Sequence, residues 1–176
     1  LGRETLPTEQ EQFFAYKEVL EQMGTLPVTI RTVDIGADKM PKWSDHSTFA
    51  NPALGLTGVR LCLAEPNLFR TQLRALLRAS QYGNLHILIP MLSSLHELQQ
   101  ARMHIELAKQ SLADEGIPFN RHVKIGAMIE TPAAAIMIGN FLKQVDFVSI
   151  GTNDLIQFTL AVDRADDMVA HLYDPT

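Results

Sequence analysis

The chain has 176 residues, 46% of them apolar, and a formal net charge of −5. That is one domain's worth of polypeptide with enough apolar content for a sizeable core. With no dense basic stripe, nucleic acid is excluded as a general partner. No apolar run is long enough to cross a membrane, and no secretory leader is evident. The single cysteine, Cys62, rules out a disulfide framework and fits a reducing, cytoplasmic compartment. The chain opens on Leu1 instead of methionine and stops at Thr176 without a closing element, so a fragment of a longer protein is expected.

In chain order, Thr8 with Glu11 three places later has capping-box spacing. Phe13, Phe14, Tyr16, Val19, Leu20 and Met23 then recur at helical spacing, up to the stop signal Gly24. Residues 27–34 are β-branched and strand-like. Residues 40–58 have no clean period and carry Pro41, Trp43, His46 and Pro52, which reads as a long structured loop. A helix is expected over 66–81, a strand over 85–90 and a long amphipathic helix over 94–115. A strand over 123–130 follows, then Thr131-Pro132 as N-cap and first helical position, a helix over 133–144 and a buried strand over 147–150. Strands alternating with helices predict an α/β fold with a parallel sheet. Four such units make either a small open sheet or half of a (β/α)₈ barrel, which takes about 250 residues. No linker, repeat or second domain is visible.

Two strands end on acids. Residues 123–130 finish at Glu130, and the strand 147–150 breaks at Gly151 into a polar turn with Thr152, Asn153 and Asp154. Either carboxylate alone reads as helix or turn chemistry. As a pair at matching ends of successive parallel strands, Glu130 and Asp154 point to a divalent cation at the edge where barrel enzymes keep their sites. Two hard oxygen ligands suit Mg²⁺, which keeps waters and takes further ligands from substrate oxygens. Arg31 and Arg164 are candidate phosphate or carboxylate forks, Lys39 a further cation, and Asn153 an amide contact to an anionic ligand. His86, His96 and His104 form no metal or nucleophile pattern, and Cys62, Met128 and Met137 read as packing residues.

Five motifs in one order resemble a known family: Arg31-Thr-Val-Asp-Ile-Gly-Ala-Asp-Lys39, Asn51-Pro-Ala-Leu-Gly55, Gln72-Leu-Arg-Ala-Leu-Leu-Arg-Ala-Ser80, Gly126-Ala-Met-Ile-Glu-Thr-Pro-Ala-Ala-Ala135 and the run from Ser149 to Arg164. The family is the phosphoenolpyruvate-utilising enzymes, most closely enzyme I of the bacterial phosphotransferase system, the nitrogen-related form at least as much as the sugar-transport form. The resemblance implies the third to sixth β/α units of a phosphoenolpyruvate-binding C-terminal (β/α)₈ barrel. By it, Glu130 and Asp154 match magnesium ligands, Arg31 and Arg164 arginines on the phosphate, and Asn153 the asparagine that contacts the ligand. It further implies phosphoryl transfer to a histidine on a separate N-terminal domain, then to a histidine phosphocarrier protein. A homodimer is also expected.

No part of the chain matches the histidine domain. The proton-donating cysteine of the family falls beyond Thr176, so Cys62 does not take that role, and Arg3 does not fill the place of an earlier phosphate-facing arginine. Thr57 in Gly55-Leu-Thr-Gly-Val-Arg60 stands where the family carries a substrate arginine. The fragment alone is therefore expected to be inactive. The alternatives are a degenerate, non-catalytic phosphoenolpyruvate-binding module, and a magnesium-dependent lyase on the related pyruvate-binding barrel.

Overall fold

The computed structural model describes residues 6–36 and 52–173. Arg3, Lys39 and most of the predicted loop 40–58 lie outside them. Four strands, β1 (Pro27–Arg31), β2 (Asn84–Ile89), β3 (Lys124–Ile129) and β4 (Phe147–Ile150), form one sheet in that order. Every neighbouring pair is parallel. The helices are α1 (Glu9–Met23), α2 (Val59–Ala64), α3 (Pro66–Ala79), α4 (Leu95–Asp114), α5 (Pro132–Ile136), α6 (Ile138–Phe141) and α7 (Thr152–Leu160). This is an α/β partial barrel of four β/α units.

Local chemistry starts the helices. The Thr8 hydroxyl accepts from the Glu11 N–H at 3.2 Å and the Glu11 carboxylate accepts from the Thr8 N–H at 2.8 Å, closing the box predicted from spacing. Ser94 and Glu97 repeat it at α4, and Thr131 caps α5 with Pro132 in the first turn. Arg74 of α3 binds both Glu9 (2.7 Å) and Glu115 (2.8 Å), and Arg78 also reaches Glu9 (2.6 Å), so one cationic pair ties together α1, α3 and the end of α4.

Strand alternation sorts the side chains between two faces. Val28, Leu85, Ile87, Ile89, Ile125, Ala127 and Ile129 pack on the helices in one core with Leu20, Phe69, Leu73, Leu76 and Phe141. The opposite face carries Arg31, Leu88, Gly126, Met128 and Phe147. There the Phe147 ring lies where a Cβ on Gly126 would sit, 2.4 Å away, so only glycine fits.

Three boundaries differ from the sequence expectation. The first strand ends at Arg31, not residue 34, because the Val33 N–H is drawn off the sheet by the Gln72 side-chain carbonyl at 2.8 Å. The helix predicted over 133–144 is two short ones. At Met137 the backbone turns to φ −92°, ψ 11°, and its carbonyl accepts from the Asn140 N–H three residues on; Gly139 and Asn140 are weak helix formers. Residues 152–160, read as a polar turn and its sequel, are helical from Thr152.

Candidate functional site

Glu130 is the residue that directly follows β3. Its side chain is 1% exposed. Oε1 accepts from the Met91 N–H at 2.6 Å, while Oε2 is buried without a hydrogen-bond partner among the described residues. A buried, half-satisfied carboxylate is costly in a folded chain and calls for an explanation. Burial pushes its pKa up to about 7; the Met91 N–H opposes this, the charges of Asp34 and Asp154 add to it, and Arg31 opposes it in turn. Two carboxylates and one guanidinium thus lie close enough to Glu130 to act on its charge.

The fold explains the convergence. Ile129 pairs with Ile150, so the next residues, Glu130 and Gly151, continue side by side, and the Gly151 N–H still donates to the Ile129 carbonyl at 3.0 Å. A Cβ on Gly151 would stand 2.5 Å from Oε2 of Glu130. The missing side chain leaves the carboxylate its place, and three residues later Asp154 sits in the first turn of α7.

Arg31, the last residue of β1, ion-pairs with Asp34 at 2.8 Å and reaches the Met128 sulfur at 3.7 Å, which puts it on the face that leads to Glu130. Arg164 pairs with Asp154 at 3.2 Å, and its backbone N–H donates to the Gln157 side-chain carbonyl at 3.1 Å. Asn153 is exposed beside Asp154, and the Tyr173 hydroxyl donates to its backbone carbonyl at 3.3 Å. Arg31, Glu130, Asn153 and Asp154 therefore lie at or just beyond the carboxyl ends of β1, β3 and β4, and Arg164, which follows α7, joins them through its ion pair with Asp154. Arg31 and Arg164 are each paired with a carboxylate of the same edge.

Among the described residues no cluster of three or more His, Cys, Asp or Glu side chains could cage a metal. A two-carboxylate site does not need one: Mg²⁺ binds through one or two carboxylates plus water and substrate oxygens. The orphaned Oε2, the glycine beside it and Asp154 nearby fit that requirement. Among the described residues, His86 lies tilted against Phe147 with ring centroids 5.4 Å apart, and His104 tilted against Phe69 at 5.7 Å. Cys62 is fully buried and its thiol is pushed up to about 12, mainly by burial and then by Asp34, which keeps it a packing residue. In the sequence Asp34 shows only as part of a motif, Gly151 only as the break of a strand, and Met91 not at all. Met91 has φ 56°, rare for a side chain that is not glycine, and no residue pattern announces such a backbone.

The family profile described as "PEP-utilising enzyme, PEP-binding domain" matches residues 1–176. The chain belongs to the PEP-utilising enzymes. Within this family it is 52% identical over 175 residues to the phosphoenolpyruvate-protein phosphotransferase of Bacillus sp. (strain S), covering 99% of this chain and 30% of that protein. It is 53% identical over 175 residues to the protein of that name from Cupriavidus necator, covering 98% and 30%. The Staphylococcus aureus protein of the same name is 49% identical, covering 99% and 31%. The chain thus spans about 30% of the length of these curated relatives. A crystal structure of a citrate lyase from Burkholderia xenovorans LB400 aligns with 88% of this chain and 51% of its own, at 16% identity and a TM-score of 0.46, too slight a likeness to argue from.

Proposed function

We propose that this PEP-utilising chain is the phosphoenolpyruvate-binding part of a phosphoenolpyruvate-protein phosphotransferase, with Glu130 and Asp154 holding Mg²⁺. What carries the reading is the buried Oε2 of Glu130, without a hydrogen-bond partner among the described residues, beside Gly151 and within electrostatic reach of Asp154 and Arg31. Magnesium bound there supplies charge neutralisation for the phosphate and carboxylate oxygens of the substrate.

The chain's own groups do the rest. Arg31 and Arg164 bind the phosphate, exchanging their pairings with Asp34 and Asp154 for ligand oxygens. Asn153 orients the ligand from the first turn of α7. Phosphoryl transfer asks mainly for alignment and electrostatic stabilisation, and fixed guanidinium and carboxylate groups provide both. The phosphoryl group then passes to a histidine on a separate domain, and from there to a histidine phosphocarrier protein. A cytoplasmic bacterial setting and a homodimeric parent fit this role, in sugar transport or nitrogen regulation.

Thr57 is the departure. It bridges to Gly36 in an isolated antiparallel pair, so the substituted position stays close to the loop after β1. Calorimetric titration of the complete polypeptide with phosphoenolpyruvate, with and without Mg²⁺, tests the proposal. Thr57→Arg should tighten binding about tenfold or more, the scale of a charge-assisted hydrogen bond. Unchanged affinity in Thr57→Arg would remove Thr57 from the site, and no phosphoenolpyruvate binding at all in either protein would remove the function.

A further inference from the structure

We infer that Arg60, with Glu97 and Ser93, is a positioning device for Glu130, acting through the turn that carries Met91; the inference rests on the magnesium reading of Glu130 proposed above. Arg60 stands in the first turn of α2, at the end of the segment that contains Thr57. Its guanidinium uses all three nitrogens. Nε pairs with Glu97 Oε1 at 3.4 Å, Nη1 donates to the Leu54 carbonyl at 3.3 Å, and Nη2 donates to the Ser93 hydroxyl at 3.2 Å. The other oxygen of Glu97 accepts from the Ser93 N–H (2.7 Å), the Ser93 hydroxyl (2.9 Å) and the Ser94 N–H (3.0 Å).

That cluster fixes the C-terminal half of the β2–α4 connection. Its N-terminal half holds the carboxylate: Met91 donates its N–H to Glu130 Oε1, and the Leu92 carbonyl accepts from the Thr131 hydroxyl at 2.8 Å. Met91 presents that N–H from a backbone with φ 56°, in the left-handed region. Such a conformation is unfavourable in a bulky residue and persists only where the surroundings over-determine it. Two neighbours do so. Gly58, two residues before Arg60, lies so close that a Cβ there would be 2.7 Å from the Met91 Cβ, and the Arg60–Ser93–Glu97 cluster holds the turn at Ser93 and Ser94. With Oε1 committed to Met91, Oε2 is the oxygen left for a ligand. Arg60 touches neither ligand nor carboxylate; it sets which oxygen of Glu130 is presented and where.

Outer partners of this kind typically change metal affinity 10–100-fold when removed. The test is Mn²⁺ binding followed by the free-ion paramagnetic resonance signal in the complete polypeptide, with metal-free phosphoenolpyruvate binding measured beside it. Arg60→Met should weaken Mn²⁺ about 10-fold or more while leaving metal-free phosphoenolpyruvate affinity as in the parent. Glu97→Gln should shift Mn²⁺ affinity the same way, the double variant should be no worse than Arg60→Met, and Arg60→Lys should recover part of the loss. Parental Mn²⁺ affinity in Arg60→Met overturns the inference, and so does an equal loss of metal-dependent and metal-free binding, which would make Arg60 merely structural. Glu130→Ala separates the two readings: if it keeps parental Mn²⁺ affinity, the metal site itself is misplaced, whatever Arg60 does.

Discussion

Glu130 carries the heaviest electrostatic consequence at the scale of single residues. Its carboxyl titrates near 4.5 in an unfolded chain and is pushed up to about 7 in the folded, metal-free protein. Between those values the folded state binds the extra proton. Stability from this group is therefore complete below pH 4.5 and drains away as pH rises through about 7, by at most about 3 kcal/mol. Urea unfolding of metal-free protein should show that decline from pH 5 to 8, and Glu130→Gln should flatten it. An unchanged slope in the variant would locate the titration elsewhere. Because the metal must displace the same proton, Mn²⁺ affinity should rise by up to about tenfold per pH unit below pH 7 and level off above. Gly151→Ala is the steric counterpart. Its Cβ would meet Oε2 at 2.5 Å and the Glu130 Cβ at 2.7 Å, so the carboxylate must move. Metal affinity should drop at least about tenfold while the fold survives, since φ at Gly151 is −89° and suits any residue. Retained affinity would mean that the glycine is not a cradle.

The elements show what a sequence can and cannot disclose. Capping is local chemistry, so Thr8–Glu11 was legible from spacing alone. Thr8→Ala should lower unfolding stability by about 1 kcal/mol, with Mn²⁺ affinity unchanged because the start of α1 is tied to Arg74 and Arg78 of α3 and not to Glu130 or Asp154. A loss of metal affinity in that variant would contradict the separation of scaffold and site. The two acids were legible for a similar reason: each follows a short apolar run, and strand ends are visible as breaks in hydrophobic pattern. What escaped is set by tertiary contacts. Gln72 of α3 shortens β1 by taking the Val33 N–H, across 39 residues of sequence. α2 is only six residues long, too short for a period to register. The split of the predicted 133–144 helix depends on the backbone at Met137, where weak formers downstream let the chain turn. The carboxylate partners of the arginines were equally hidden, because Asp154 and Arg164 meet only once α7 has coiled between them.

At the scale of the whole molecule, alternation of strands and helices predicted a parallel sheet, either open or half of a barrel; the family resemblance implied the barrel, and the observed order β1-β2-β3-β4 agrees with it. What no pattern could supply is closure. β1 and β4 each have one sheet neighbour among the described residues, and β4 and its flanking segments expose Ile136, Ile150 and Met168. Open edges with apolar surroundings recruit partners. The 176-residue chain expressed by itself should therefore run as a dimer or larger in light scattering coupled to size exclusion; a clean monomer would show that its edges are self-protected.

The metal-affinity expectations all require one cation held between Glu130 and Asp154 beside the phosphate of phosphoenolpyruvate. Anomalous diffraction from crystals of the complete polypeptide grown with Mn²⁺ and phosphoenolpyruvate tests it most directly. One strong peak is expected at about 2.1 Å from Oε2 of Glu130 and from an Asp154 oxygen, with Arg31 and Arg164 turned from their acids to the phosphate. A bound ligand whose manganese peak lies away from Glu130 and Asp154 would contradict it.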